Sequence, residues 1–243
     1  MEPFHILEIF QNSLICRHMG KKTKSIKVTD IKAEKPWLKR TGDISYKEDS
    51  REMKKIILIV CEGQTEELYF KSFPVVSCTV TAFAMGQSKE SLVASTIELK
   101  KADVYDEVWC VFDMDYNSGA KEISSFDNAI NKAHKNEIKV AYSNDCFELW
   151  FCLHYEHIDQ QHRRDFYFDY LSKKWNMNYS NDGKKYEFCG TTYSTLKNGG
   201  NQDLAIKRAE KLYKDQKHLS YSQQNPVTLV YLLVQLLKEN MRD

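Results

Sequence analysis

The chain has 243 residues, 42% of them hydrophobic and 12% aromatic, which is enough for a packed core and excludes global disorder. A formal net charge of +1 selects neither a nucleic-acid nor a membrane partner. Seven cysteines with no Cys-x-x-Cys fit reduced thiols in a cytosolic protein and exclude a disulfide framework.

Residues 1–53 are expected to form a basic N-terminal arm. Residues 1–55 hold 13 Lys or Arg against 8 Asp or Glu, whereas residues 56–243 hold 22 against 26. Phe4, Ile6, Leu7, Ile9 and Phe10 suit one short amphipathic helix within this arm. Its simplest reading is a solvated tail, and its charge suits a polyanion. Met1 to Phe10 carries two acids and no apolar run, so no cleavable signal is expected.

The pattern changes at Lys54. Ile56 to Cys61 is a continuous, mostly β-branched run, as in a strand buried on both faces of a parallel sheet. Thr65 to Phe73 reads as a helix stopped by Pro74, and Val76 to Phe83 as a second strand. Ser88 to Lys101 is helical, Glu107 to Phe112 a third strand, Ile123 to Lys135 a helix and Ile138 to Tyr142 a fourth strand. Asp145 to Tyr155 begins another helix. Four strands alternating with helices predict an open, mostly parallel four-stranded α/β sheet over residues 54–156. Residues 157–243 read as a mostly helical part packed on it, with apolar faces over Asp203 to Tyr213 and Val227 to Glu239. The Tyr-rich stretch from Tyr167 to Tyr193 suits an irregular subdomain or a cap. The longest apolar run, Val227 to Leu237, is too short to span a bilayer, so a cytoplasmic protein without a membrane partner is expected.

Open parallel sheets bind ligands beyond the carboxyl ends of their strands, and acids stand at three of those ends here. Strand one ends in Glu62-Gly63-Gln64-Thr65-Glu66, strand three in Asp113-Met114-Asp115, strand four in Asp145-Cys146-Phe147-Glu148. Clustered carboxylates raise one another's pKa. A hard divalent cation, Mg²⁺ or Mn²⁺, relieves that repulsion, and such ions assist phosphodiester chemistry. Glu62, Asp113 and Asp115 are the expected metal ligands and catalytic acids, with Glu66 and Glu148 as additional candidates. Gly63 lets a ligand approach the backbone and opens a helix whose free N–H groups favour phosphate. Glu66 equally suits the dipole of its helix, and Asp145-x-x-Glu148 equally suits a capping box. Cys152-x-His154-x-x-His157 matches no strong zinc pattern, and Ser143 has no base-and-acid set near it in sequence.

Four segments together, ILIVCEGQTEELYF (57–70), DEVWCVFDMDYN (106–117), IKVAYSNDCFELWFCLHY (138–155) and NPVTLVYLLVQLL (225–237), resemble the RloB-like proteins of restriction and phage-defence loci. The resemblance runs from about Lys35 to the C-terminus. It implies a Toprim-like fold with Glu62 as general acid/base or metal ligand and Asp113 and Asp115 as the metal-binding Asp-x-Asp. It also implies an antiviral, abortive-infection nuclease acting on DNA or tRNA beside an AAA/ABC-type ATPase partner. Four local patterns differ from the family's: Gln64-Thr65-Glu66-Glu67 stands for Glu-Thr-Glu-Pro, Met114 for Arg, Asp145 for Pro and Val227 for Ser. Every carboxylate above is retained.

The expectation is therefore a Mg²⁺- or Mn²⁺-dependent endonuclease, as a monomer or a homo-oligomer. Two other readings compete with it. One is a non-catalytic module partnering an ATPase. The other is a haloacid-dehalogenase-like phosphotransferase, whose Asp-x-Asp normally sits on the first strand and precedes Thr or Val where this chain has Asn117.

Overall fold

The computed structural model describes residues 54–82, 88–115 and 120–241. The basic arm of residues 1–53, its short helix and Asn117 lie outside them. The chain divides into two units, residues 1–51 and 52–243, and the described residues belong to the second.

Five strands form one sheet: β1 (Ile57–Cys61), β2 (Cys78–Ala82), β3 (Glu107–Asp113), β4 (Lys139–Asn144) and β5 (Val227–Thr228), in the spatial order β2-β1-β3-β4-β5. The first four are parallel. The fifth strand corrects the four-stranded expectation: Val227 and Thr228 pair antiparallel with Asn144 and Ser143 instead of opening a helix. The apolar run was long enough to read as one element. Its first two residues instead close the edge of β4, with Thr228 Oγ1 2.9 Å from Ser143 Oγ. The α/β class, the mostly parallel open sheet, the flanking helices and the helical C-terminal part all match the expectation.

β1 is buried along its whole length, and β3 and β4 nearly so. Helices therefore cover both faces, which is the physical reason these strands are continuously apolar rather than alternating. The helices between strands are α1 (Gln64–Lys71), α2 (Lys89–Ala102) and α3 (Ala120–Lys135). Ser88 caps α2, its hydroxyl accepting from Ser91 N–H. After β4 the chain enters α4 (Glu148–Leu153), which is wholly buried. There follow α5 (Arg164–Trp175), two single turns α6 (Tyr179–Asp182) and α7 (Tyr186–Cys189), then α8 (Thr192–Gly199), α9 (Gln202–Gln216) and α10 (Val230–Asn240). The Tyr-rich stretch is thus helical, and all its tyrosines but the exposed Tyr186 pack in or against the core. Tyr167 and Tyr179 are fully buried.

An aromatic cluster welds α1 to α4. Tyr69 lies against Phe70, Phe147 and Phe151 with ring centroids 5.2–5.8 Å apart, and its hydroxyl accepts from Trp150 Nε1 at 2.8 Å. Tyr69→Phe keeps the ring and strands the buried indole N–H, so a loss of about 1–3 kcal/mol in urea unfolding is expected. A loss within error would mean that the indole finds another acceptor.

The described cysteines are all unpaired, and burial pushes the thiols of Cys61, Cys146 and Cys152 well up, so they pack as small neutral side chains. Among the described residues no helix is long and apolar enough to cross a membrane.

Candidate functional site

Strand register brings the acids together. Cys61 is opposite Val111, so the next residue, Glu62, donates its N–H to Val111 O at 2.9 Å. Its side chain then turns along β3, and Oε2 accepts from Asp113 N–H at 3.2 Å. Asp113 in turn is opposite Ser143 of β4, and its Oδ2 accepts from Phe147 N–H at 3.0 Å, just before α4. Asp113 Oδ1 is buried and has no hydrogen-bond partner.

Two further acids lie in the same electrostatic field. Glu66, on the first turn of α1, is buried. Burial pushes its carboxyl up to about 7, against the pull of Lys184 and with added repulsion from Glu148 and Glu62. Glu148 opens α4 and is fully buried. Burial alone would raise its carboxyl, but the Lys184 ammonium in contact with Oε1, aided by the Tyr179 hydroxyl at 3.0 Å, holds it below the usual range. Its other oxygen, Oε2, is buried without a partner. Asp113 is pushed well above the usual carboxylate range, by burial first and then by Glu66, Glu148 and Glu62.

Asp115 stands apart from this group. It adopts a left-handed backbone (φ 52°), and its Oδ1 pairs with Arg164 Nη2 at 2.7 Å. Gly63 has an extended backbone (φ −135°, ψ 170°), so it needs no left-handed freedom. A Cβ there would stand 2.7 Å from Glu66 Oε2, because the Glu66 carboxylate lies against it. The start of α1 is thereby met by an internal acid. The capping-box expectation for Asp145 and Glu148 is corrected. The α4 N-cap is Phe147, with no side-chain cap, and Asp145 Oδ2 accepts from Arg164 N–H at the start of α5 instead. Met114 is fully buried, so it packs into the core. His154 is a core histidine whose Nδ1–H donates to Trp150 O at 2.9 Å, and burial lowers its pKa to about 4.

Three cations at the site were not legible in the sequence. Lys89 is buried, with its Nζ 3.7 Å from Glu62 Oε1. Lys184 reaches Glu148 from the link between α6 and α7. Arg164 reaches Asp115 from α5. Each lies at least 27 residues from its partner, and the surrounding sequence of each reads as ordinary surface. Only their placement at the mouth of an acidic edge marks them.

The donor chemistry suits a hard divalent cation: carboxylates, with two buried oxygens, Asp113 Oδ1 and Glu148 Oε2, lacking any donor. The side chains as they stand are held by Lys184, Lys89 and Arg164. Among the described residues no three His, Cys, Asp or Glu side chains converge on one point as a finished metal cage. The set fits such an ion in kind and in its unsatisfied oxygens. Asp115, paired with Arg164 through Oδ1, stands beside it.

The pKa shifts give a sign for stability against pH. Glu66 holds its proton in the folded state up to about pH 7 but loses it near 4.5 when unfolded, so its contribution is present below pH 4.5 and is lost as pH rises toward 7. Neutral, buried His154 acts oppositely, destabilising as pH falls from 6.5 toward about 4. The difference between wild type and Glu66→Gln isolates the first effect. In EDTA, the variant is expected to gain stability relative to wild type between pH 4.5 and 7, on the order of 2 kcal/mol. A flat difference profile would show that Glu66 is not held neutral.

These features define a class: an open α/β protein with acids from three strand ends gathered at the carboxyl edge of its sheet, roofed by helices from its C-terminal part. The model of the RloB-like protein family matches residues 57–237, from the first residue of β1 into α10, and the chain belongs to that family. Comparison with curated proteins gave no match, and comparison with solved structures gave none.

Proposed function

We propose that this protein is a metal-dependent nuclease that hydrolyses phosphodiesters at the carboxyl edge of β1 and β3, as an effector of antiviral defence. The observation that carries the reading is the pair of buried, unpartnered carboxylate oxygens, Asp113 Oδ1 and Glu148 Oε2, beside Glu62. Buried carboxyl oxygens without hydrogen-bond partners are costly, and a cation-dependent reaction gives that cost a use. The order of elements, with Glu62 and Asp113 at adjoining strand ends and Asp115 two residues on, supports the Toprim-like reading that the family resemblance implies.

Glu62, Asp113 and Asp115 would hold Mg²⁺ or Mn²⁺. Such an ion supplies charge stabilisation to a phosphodiester undergoing displacement. Glu66, its carboxyl pushed up to about 7, keeps part of its proton at neutral pH and can give it, and Glu62 is the partly exposed carboxylate able to take one from water. Lys184 holds Glu148 ionised, and Arg164 fixes the Asp115 side chain in place. The near-neutral charge suits recruitment to nucleic acid by an ATPase partner.

The test is cleavage of supercoiled DNA, single-stranded DNA and total tRNA with Mg²⁺ or Mn²⁺, with and without the ATPase encoded at the same locus, for wild type, Asp113→Ala and Glu62→Ala. Cleavage by wild type that is lost in both variants is the expected result. No cleavage with the partner present would move the reading to a non-catalytic module. One observation favours that second reading: Lys184, Lys89 and Arg164 already neutralise three of the acids. Metal binding, read as a raised melting temperature, without any cleavage even with the partner present would favour it.

A further inference from the structure

A cavity of about 870 Å³ opens beside the acidic edge, within the size range of small-molecule pockets, roughly 300–1,000 Å³. Its walls come from α3, from the segment leading into α5 and from the turn before β5. Two contacts fix its place. Asn144, the last residue of β4, donates Nδ2–H to Ser222 O at 3.1 Å, and Arg164, next to the lining residue Arg163, pairs with Asp115. The cavity and the acids are therefore neighbours along one rim of the sheet.

The walls are built in advance. The Asp127 carboxylate grips the turn twice, accepting from Ser222 N–H at 2.8 Å and from Ser222 Oγ–H at 2.9 Å. On the opposite strap, the His162 ring lies flat on Phe166, with centroids 3.6 Å apart and planes within 7°. Asn225 Oδ1, on the lining residue that follows the turn, is buried and accepts no hydrogen bond. Gln161 on the strap and Gln223 on the turn also line the cavity.

An aromatic plate and several amide side chains are the chemistry that recognises a nucleobase. Bases stack on aromatic faces and hydrogen-bond through their edges to amide side chains. A phosphate alone would not use the plate, and a lipid would not use the amides. A base paired within a duplex presents neither its face nor its Watson–Crick edge. We infer that this cavity takes the unpaired base of a single-stranded nucleotide lying next to the phosphodiester at the acidic edge. Its location rests on the phosphodiester reading, but its ligand chemistry does not.

The test is binding by the full chain in EDTA, so that turnover plays no part, read by fluorescence anisotropy. The probes are short single-stranded DNA and RNA of one sequence and the corresponding duplexes. The variants are His162→Ala, which removes half of the plate, and Gln223→Ala, an exposed side chain whose loss leaves the fold alone. The expected result is single-strand binding at least about tenfold tighter than duplex binding, weakened by roughly tenfold in His162→Ala and less in Gln223→Ala, with melting temperatures unchanged. Preference for RNA or for DNA would identify the sugar and support the pocket equally. No single-strand binding, equal binding of duplex, or single-strand binding indifferent to both variants overturns it. Cleavage with binding indifferent to both variants would sink the pocket and leave the nuclease standing. The expected binding pattern without any cleavage would do the reverse.

Discussion

Asp113→Asn is expected to lower metal-dependent cleavage by at least about a hundredfold while leaving the metal-free protein as stable as wild type or more so by about 1 kcal/mol. Function and stability separate here because Asp113 is strained electrostatically. Its carboxyl sits well above the usual range through burial and through Glu66, Glu148 and Glu62. The amide keeps an oxygen to accept from Phe147 N–H, as Oδ2 does now. It also replaces the unpartnered oxygen with a donor amid carboxylates. The cost is the lost anionic donor, which a divalent cation needs. Cleavage rates beside urea melts in EDTA and in Mg²⁺ check both halves. Undiminished cleavage would remove Asp113 from the chemistry. A less stable variant in EDTA would show that the carboxylate is held by something other than repelling neighbours.

Lys184→Met should destabilise the metal-free protein by about 2 kcal/mol. Breaking a buried ion pair costs about 3–5 kcal/mol when the surviving charge stays buried. Glu148 is that charge, 1% exposed, but Lys184 is 44% exposed, so water already screens part of the pair. Adding Glu148→Gln to the same chain should recover most of the loss, because no bare carboxylate remains. A divalent cation that reaches Glu148 should also narrow the deficit, since a ligand bound only by the folded state stabilises it. Three melts, in EDTA, in Mg²⁺ and with the double variant, separate the possibilities. A deficit untouched by Mg²⁺ would confine the metal to Glu62, Asp113 and Asp115. A deficit that persists in the double variant would make Lys184 a packing residue.

Much of this protein follows from its sequence alone. Runs such as Ile56 to Cys61 and Glu107 to Phe112 identify strands buried on both faces, because only a doubly covered parallel sheet accepts continuous apolar residues. Order along the chain then puts Glu62 and Asp113 at the same sheet edge, since every parallel strand carries its carboxyl end to that edge. The four segments that carry the resemblance also suffice for the family, whose model spans residues 57–237.

What tertiary structure alone decided is which charges meet. Val227 and Thr228 read as helix by periodicity, but the open edge of β4 takes them as a strand. Asp145 and Glu148 have the spacing of a capping box, yet Asp145 caps a helix 19 residues away and Glu148 turns inward to Lys184. That inward turn, the Arg164–Asp115 pair and the buried Lys89 depend on long-range packing. The energy of an ion pair is set by distance and burial, not by the residues on either side of it in the chain. For the same reason the cavity between α3 and the strap before α5 has no sequence signature: its aromatic plate and amides come together only when three separate segments are folded against one another.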